Sequence, residues 1–254
     1  MALIRCDFYS STLSLSTSMT VLLPQSESGI GIAGASSGPP PVLYLLHGLT
    51  DDDTIWMRRT SIERYAAPLG LAVVMPQVHH SFYADEAHGH RFWTFLSEEL
   101  PELVHSFFRV SDRREDTFVA GLSMGGYGAM KWALRQPDRF AAAASLSGAL
   151  DLAGGHATRD PWVEGILGRV FADSGLAGTA DDTIALARSA DPATTPPLYI
   201  CCGTEDDLWP QSVAFAAAAR ERGHDVTTDF GPGDHDWAYW DDAIQRVLGW
   251  LPRT

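Results

Sequence analysis

Ser123 is the residue whose surroundings best suit nucleophilic chemistry. It is the central residue of the segment GLSMG (121–125), between an apolar run over 117–122 and a segment with helical periodicity. A G-x-S-x-G turn between a strand and a helix exposes the serine hydroxyl, because small flanking residues permit a strained backbone there. The hydroxyl also needs a base, an acid that orients the base, and donors for the oxyanion. Without those partners the segment would be a glycine-rich turn with no chemistry.

Among the three histidines that follow Ser123, only His235 is well placed to be the base. Where a serine on such a turn is catalytic, the acid and then the histidine follow it in the chain. In an open parallel sheet, ligands bind at the carboxyl ends of the strands, so catalytic residues should follow strands directly. His156 lies in a long insertion and His224 precedes the predicted strand 225–231, whereas His235 follows that strand.

The orienting acid is expected in the loop after the predicted strand 197–203. That loop contains Glu205, Asp206 and Asp207. One of them would have to accept a hydrogen bond from the imidazole, fixing its tautomer and stabilising the imidazolium. Acidic residues in loops are usually solvated or cap the next helix, and spacing alone does not choose among the three.

Two backbone N–H groups are candidates for the oxyanion hole. Met124 follows the serine at the start of a predicted helix, where the helix dipole favours negative charge. Leu49 lies in the loop after the predicted strand 41–48. Both positions again follow strands, so the candidate groups can converge at one edge of a sheet.

Apolar runs of strand length alternate with helical patterns along the chain, after an N-terminal hairpin pattern. The predicted strands are 41–48, 71–76, 117–122, 141–148, 197–203 and 225–231, and the predicted helices are 60–69, 93–108, 124–136, 211–222 and 237–250. Continuous apolar strands indicate a sheet covered on both faces. Strand–helix alternation predicts an α/β fold with a doubly wound, mostly parallel sheet.

One domain over residues 1–254 is expected, with a cap-like excursion over 149–196. The excursion is too long for a simple crossover and includes the helical pattern PWVEGILGRVF (161–171). Bulky side chains there, Trp162 and Phe171, are expected to close an acyl pocket rather than to line a long tunnel.

Composition and charge exclude several classes of partner. The formal net charge is -14, which disfavours nucleic acid. No window approaches the ~18 apolar residues of a membrane span, and the N-terminus lacks a signal-peptide pattern, so a cytoplasmic protein without a membrane partner is expected. Three cysteines, two of them adjacent, do not form a disulfide framework, and Cys201 and Cys202 are expected to be buried free thiols.

Five segments resemble the esterase D-like family of α/β-hydrolases. They are VLYLLHGLTDDDTIWMRRTSIERYA (42–66), LAVVMP (71–76), GLSMGGYGAM (121–130), CCGTEDDLW (201–209) and GDHDWAYW (233–240). That family includes tributyrin and acetyl esterases, S-formylglutathione hydrolases, feruloyl esterases and, more distantly, mycolyltransferases. The likeness covers nearly the whole chain, and the short-chain tributyrin esterases are the most similar group.

The resemblance implies the α/β-hydrolase fold, ester hydrolysis without a cofactor, and specific residue roles. In the tributyrin esterase group the acid is the aspartate of a G-x-x-D-x-L pattern. Gly203, Asp206 and Leu208 fill that pattern, which favours Asp206. The family's oxyanion donors map onto Leu49 and Met124.

A metal site is the alternative function for two polar segments. The loop 79–90 contains four histidines, but no pair has the i, i+4 spacing of a helical H-E-x-x-H site. The three aspartates at 51–53 are more typical of helix capping and of solvated side chains. No metal is therefore predicted, and Phe82 or Tyr83 in the histidine-rich loop is expected to line the substrate site.

The sequence thus predicts a serine carboxylesterase that hydrolyses small-molecule, short-chain acyl esters through Ser123, His235 and Asp206. A thioesterase acting on S-formylglutathione and a feruloyl-type esterase are the nearest alternatives. An acyltransferase and a non-catalytic binding protein of the hydrolase fold are more distant ones. The physiological ester and the oligomeric state stay open.

Overall fold

The computed structural model describes residues 1–25, 38–154, 160–172 and 175–252. Within them, eight strands form one sheet. The strands are β1 (Ala2–Ser10), β2 (Leu15–Leu23), β3 (Val42–Leu46), β4 (Ala72–Pro76), β5 (Thr117–Leu122), β6 (Ala142–Leu146), β7 (Leu198–Gly203) and β8 (Val226–Gly231). Their order across the sheet is β1-β2-β4-β3-β5-β6-β7-β8. The strands β1 and β2 form an antiparallel hairpin, and β2 pairs antiparallel with β4. The other six strands, β3 to β8, are parallel to one another.

Helices cover both faces of this sheet. They are α1 (Ile55–Arg59), α2 (Ile62–Ala66), α3 (Phe92–Thr94), α4 (Leu100–Phe107), α5 (Met124–Arg135), α6 (Pro161–Phe171), α7 (Thr183–Ser189), α8 (Trp209–Arg222) and α9 (Trp237–Trp250). A π-helical segment, Phe95–Glu99, joins α3 to α4. The predicted helix 60–69 is α2 followed by a 3₁₀ turn, and the short helices α1 and α7 were not predicted.

The central strands are buried on both faces, as the sequence predicts. Alternate residues of β3 belong to two separate apolar clusters, Val42, Tyr44 and Leu46 to one and Leu43 and Leu45 to the other. This arrangement confirms the predicted α/β-hydrolase fold with helical layers on each side of a mostly parallel sheet. The edge strand β8 is only half-buried, because no strand of the described residues lies beyond it.

The strand order changes direction at β3, since β4 lies on one side of it and β5 on the other. The carboxyl ends of β3 and β5 therefore flank the topological switch point, where ligands bind in open α/β sheets. Ser123 follows β5 and Leu49 lies after β3, while Asp206 follows β7 and His235 lies after β8. The fold brings all four positions to the same edge.

The excursion 149–196 contributes α6 and α7, and α7 packs against α5 and α8. His156 lies outside the described residues. No helix of the described ranges is long and apolar enough to span a bilayer. Cys201 and Cys202 are buried free thiols in β7, as expected.

Candidate active site

Ser123 occupies a sharp turn between β5 and α5. Its backbone has φ 53° and ψ -118°, which is unfavourable for a residue with a side chain. The turn is held by its neighbours, because the N–H of Ser123 donates to the carbonyl oxygen of Leu146 at 2.9 Å and its own carbonyl accepts from Tyr127 at 3.1 Å. The strain is therefore balanced by the strand and helix that it joins, and the serine is held at the end of the sheet.

Two glycines of the GLSMG segment allow β5, α5 and β3 to approach closely. A Cβ atom on Gly121 would lie 2.4 Å from the backbone of Gly125, and one on Gly125 would lie 2.4 Å from the carbonyl oxygen of Leu46. No side chain fits at either position without moving backbone atoms. The glycines thus position Ser123 against the end of β3, where the loop containing Leu49 begins.

The structure brings Ser123, His235 and Asp206 into one hydrogen-bonded row. Nε2 of His235 lies 3.1 Å from Oγ of Ser123, and Nδ1 of His235 lies 2.9 Å from Oδ2 of Asp206. Because a carboxylate only accepts hydrogen bonds, the imidazole proton belongs on Nδ1. Nε2 then carries a free lone pair that can accept the proton of the serine hydroxyl.

The carboxylate of Asp206 is held in its charged form. Burial alone would raise its pKa, but the hydrogen bond and charge of His235 and the N–H of Leu208 outweigh burial and hold the pKa below its usual value. That N–H donates to Oδ1 at 2.8 Å, so each carboxylate oxygen has a partner. The side chain of Asp206 is fully buried, whereas that of His235 is 34% exposed. The carboxylate is thus shielded from solvent, and the imidazole faces the cavity.

The three consecutive acidic residues among which spacing alone does not choose have different surroundings. Glu205 accepts a hydrogen bond from the N–H of Gly233 at 2.6 Å, and this bond lowers the pKa of the Glu205 carboxyl. This bond therefore joins the loop after β7 to the loop that contains His235. Asp207 borders the cavity beside Ser123. Only Asp206 contacts the imidazole among the described acids of this loop.

Trp240 is a residue of the site that sequence reasoning missed. Its ring is perpendicular to that of His235, with centroids 4.8 Å apart. Trp237 packs perpendicular to Trp240 and to Trp56, whose indole N–H donates to the carbonyl oxygen of Leu46. An aromatic row thus connects the imidazole to the end of β3. The aromatic spacing of DWAYW (236–240) was visible, but it also fits an ordinary buried helix face.

Leu49 and Met124 are the two residues whose N–H groups the sequence indicates as candidate oxyanion donors. Both border the cavity beside Ser123. Neither backbone N–H donates a hydrogen bond to any residue in the described ranges, so both are available to an oxyanion. The loop with Leu49 is anchored by His47, whose Nδ1 donates to the carbonyl oxygen of Gly48 at 2.7 Å.

His47 is a neutral, structural histidine. It is buried, and burial lowers its pKa to about 4. Its Nε2 accepts from the N–H of Val78 at 3.2 Å, and its carbonyl oxygen accepts from the hydroxyl of Tyr83 at 2.9 Å. These bonds join the loop that contains Leu49 to the loop that follows β4.

A cavity of about 430 Å³ opens at Ser123. Its described lining combines apolar side chains with a few polar ones: Leu49, Phe82, Ser123, Met124, Ala149, Leu152, Asp160, Val163, Asp206, Asp207, Leu208, Gln211 and His235. A larger cavity, about 710 Å³, lies beside Met1 and Met57, and its lining includes none of Ser123, Asp206 and His235. The smaller cavity is therefore the candidate substrate site.

The predicted substrate-lining residues have different positions. Phe82 borders the cavity, whereas Tyr83 is fully buried behind it, with its hydroxyl engaged by His47. Phe171 packs against the ring of Phe82 with centroids 6.2 Å apart. Trp162 is 52% exposed and lies against His80, because it is on the outer side of α6, and Val163 faces the cavity instead.

The chain matches the model of the protein family Putative esterase over residues 10–251, which is nearly its full length. The chain belongs to this esterase family.

Relatives of this esterase agree with the assignment. An acetyl esterase of Caldicellulosiruptor saccharolyticus is 28% identical over 269 residues, which cover 100% of this chain and 99% of the relative. The fluorophosphonate-binding serine hydrolase FphF of Staphylococcus aureus is 36% identical, with a TM-score of 0.86 and 98% of each chain covered. The S-formylglutathione hydrolase FrmB of Staphylococcus aureus is 38% identical, with a TM-score of 0.83 and 98% of each chain covered. The protein is a carboxylic ester hydrolase of the serine hydrolase type.

The esterase's other polar segments are engaged in structural contacts. In the loop 79–90, Nδ1 of His90 lies 3.0 Å from the carbonyl oxygen of Leu13, and Glu86 pairs with Arg169. Asp53 accepts hydroxyl hydrogen bonds from Ser18 and Thr20. Across the described ranges, no group of three or more His, Cys, Asp or Glu side chains could hold a metal ion.

His224, the histidine that precedes β8, is buried away from the site. Its Nε2 lies 2.8 Å from the carbonyl oxygen of Ala187 in α7. It therefore helps to dock α7 onto the sheet and does not contact Ser123.

Proposed function

We propose that this esterase hydrolyses short-chain acyl esters with Ser123 as the nucleophile. His235 takes the hydroxyl proton on Nε2 as Oγ attacks the ester carbonyl, and Asp206 stabilises the imidazolium that forms. The N–H groups of Leu49 and Met124 stabilise the negative oxygen of the tetrahedral intermediate. The imidazolium then protonates the leaving alcohol, and an acyl-enzyme remains.

Water completes the reaction in the second half. His235 removes a proton from the water as it attacks the acyl carbon, and the same two N–H groups stabilise the second tetrahedral intermediate. Collapse releases the carboxylic acid and returns the proton to Oγ of Ser123. The chemistry uses side chains and backbone N–H groups of this chain alone.

The observation that carries this proposal is the geometry around His235. One imidazole contacts a strained serine at 3.1 Å and a buried carboxylate at 2.9 Å on its two nitrogens. That arrangement sets the tautomer needed for general-base catalysis without further rearrangement.

The preference for short acyl chains is supported by the cavity. Its volume of about 430 Å³ must hold both the acyl and the alcohol parts of a substrate. Phe82 borders it with the ring of Phe171 behind, so the cavity has an aromatic wall. Each buried methylene favours binding by about 0.8 kcal/mol only while space remains.

Covalent labelling tests the nucleophile. A fluorophosphonate probe should label the wild-type protein at Ser123 with one equivalent and should leave a folded Ser123→Ala variant unlabelled. Hydrolysis by that variant should fall by several orders of magnitude. Normal turnover by a folded Ser123→Ala protein would refute the proposal.

Thioester hydrolysis is the second candidate, favoured by the 38% identity to an S-formylglutathione hydrolase. The two are separated by kcat/KM for S-formylglutathione and for aryl acetates, butyrates and octanoates measured side by side. We expect the acetate or butyrate to give the highest value. A kcat/KM for S-formylglutathione that exceeds every ester by tenfold or more would assign the thioesterase activity instead.

A further inference from the structure

Lys131 is the only lysine of the chain and is fully buried in α5, eight residues after the nucleophile. A buried ammonium group is costly unless it is paired and hydrogen-bonded. The proposed reaction does not use it. The contacts of the Lys131 ammonium group provide another explanation for its burial.

The ammonium group of Lys131 joins three segments of the chain. Nζ donates to Oδ1 of Asp181 at 2.9 Å and to the carbonyl oxygen of Phe82 at 3.4 Å. It also lies 5.0 Å from the ring centroid of Tyr127 and 5.1 Å from that of Trp93, within the range of cation–π attraction. The helix of the nucleophile, the loop after β4 and the excursion thus meet at one cation.

A second hydrogen bond stabilises this meeting point of α5, the loop after β4 and the excursion, which we call the junction. The hydroxyl of Tyr127, one turn before Lys131 on α5, donates to the carbonyl oxygen of Asp181 at 2.7 Å. Asp181 is therefore held through its side chain and its backbone. It directly precedes Asp182, which caps α7 by accepting from the N–H of Ala185.

Phe82 is the point at which this junction reaches the substrate cavity. Its backbone has φ 48° and that of Tyr83 has φ 51°, so two consecutive residues with side chains are in the left-handed region. Such residues are strained and persist only where the surroundings hold them. The ring of Phe82 lies between Tyr127 and Phe171 and borders the cavity.

We propose that Lys131 is a positioning residue that sets the acyl-chain selectivity of the enzyme, by holding the backbone of Phe82 so that its ring closes the acyl end of the cavity. The ammonium group, anchored by Asp181, pulls the carbonyl of Phe82 towards α5. Loss of this bond lets the loop relax and opens space for longer acyl chains. The inference rests on the proposed ester hydrolysis and adds the residue that limits the acyl length.

Two variants break the junction from opposite sides. Lys131→Met keeps the length of the side chain and removes the charge, and Asp181→Asn keeps the shape of the partly exposed partner. The readout is the ratio of kcat/KM for an aryl hexanoate to that for the aryl acetate. Both variants should raise it by about fourfold or more, the gain expected for one further buried methylene. A purely structural role would lower both activities in parallel and leave the ratio unchanged.

Asp229→Asn is the matched control. Asp229 pairs with Arg246 at the half-buried edge strand β8, and its loss removes an ion pair without touching the loop of Phe82. The ratio should stay at the wild-type value in this variant.

The pH dependence provides an independent readout. Burial lowers the pKa of Lys131 to about 8. The ammonium should be present below that pH; above it the neutral amine is a weaker donor to the carbonyl oxygen of Phe82, so the pull on Phe82 weakens. The charged groups that face it are Asp181 from the excursion, Arg135 on α5 and Asp85 from the loop after β4.

The selectivity ratio of the wild-type enzyme should therefore rise between pH 7 and pH 9.5. Tyr127 does not interfere, because burial raises the pKa of its phenol well above the usual value. In Lys131→Met the ratio should be high and independent of pH.

The proposal fails if Asp181→Asn, folded and active, keeps the wild-type ratio at both pH values. It fails equally if Asp229→Asn shifts the ratio as much as the two junction variants do. If Lys131→Met does not fold, Asp181→Asn and the pH profile of the wild type decide the matter alone. Failure of the ester hydrolysis itself has a different signature, which is a wild-type enzyme that turns over neither ester.

Discussion

The indole of Trp240 lies perpendicular to the imidazole of His235, with 4.8 Å between the ring centroids. Perpendicular aromatic pairs at this separation are favourable by about 0.5–1.5 kcal/mol. The imidazole is 34% exposed, so this contact and the bond to Asp206 are what fix its orientation towards Ser123.

Trp240→Phe should therefore lower kcat about tenfold with little change in KM, because the smaller ring leaves the imidazole less restrained. Steady-state kinetics on an aryl acetate measure both constants. Trp237→Phe is the control, since Trp237 contacts Trp240 but not the imidazole, and it should lower thermal stability without a comparable loss of kcat. Equal losses of kcat in both variants would contradict the role given to Trp240.

The three neighbouring acids should differ sharply in their effect on turnover. Asp206→Asn should lower kcat by about 10³–10⁴, because an amide can stabilise the wrong imidazole tautomer. Glu205→Gln should have a smaller effect, since it weakens only the bonds that this carboxylate accepts from the N–H of Gly233 and the hydroxyl of Thr204 and does not touch the imidazole. Asp207→Asn should be the mildest for an acetate ester. The assignment is wrong if Asp207→Asn is the severe variant.

Acid should destabilise the protein through His47. Its folded-state pKa is about 4, whereas the unfolded imidazole binds a proton near ~6.5. The unfolded state thus binds more protons between those values, and stability is full above the upper value and lost as the pH falls through the window. From pH 7.5 to pH 5 this group alone should remove about 2 kcal/mol from the free energy of unfolding.

Urea unfolding at the two pH values measures this loss. A folded His47→Asn protein should lose about 2 kcal/mol less than the wild type over the same interval, while the exposed His105→Asn should match the wild type. Identical pH dependence in all three proteins would remove His47 as the cause.

Alanine substitutions at two helical glycines should have opposite effects. Gly125→Ala places a Cβ atom 2.4 Å from the carbonyl oxygen of Leu46, so it should cost about 1–3 kcal/mol or more and disturb the loop that contains Leu49. Gly165→Ala, in the middle of α6 with open space around the new atom, should gain about 0.5–1 kcal/mol. Thermal unfolding and kcat check both. A neutral Gly125→Ala would contradict the close approach of β3 and α5.

The sheet and the positions of Ser123 and His235 could be predicted because their signals are local. Apolar runs of strand length and the residues that directly follow them are legible in the sequence, and parallel topology then brings those residues together. The choice of Asp206 needed the family resemblance, because three adjacent acids have the same local signal. Which of them meets the imidazole depends on the course of the loop between β7 and α8.

Other features depend on packing between distant segments. Phe82 and Tyr83 are neighbours with similar side chains, and both have a left-handed backbone. The ring of Phe82 nevertheless borders the cavity, whereas the ring of Tyr83 is fully buried behind it. Trp162 and Phe171 are bulky residues of one helical pattern, but the indole of Trp162 lies on the outer side of α6 and is 52% exposed, while its neighbour Val163 borders the cavity. The short helices α1 and α7 have too few residues to show a period.

Because Lys131 is buried, proteolytic cleavage after this residue reports on the unfolding of the protein. A protease that cleaves only after lysine has a single possible site in the sequence, and that site lies in the middle of α5, out of reach while the helix is packed. Cleavage therefore requires α5 to unpack from the sheet, and it yields two fragments, 1–131 and 132–254. The rate of this one cut measures how often α5, the helix that follows Ser123, leaves its packed position, without any label or engineered site.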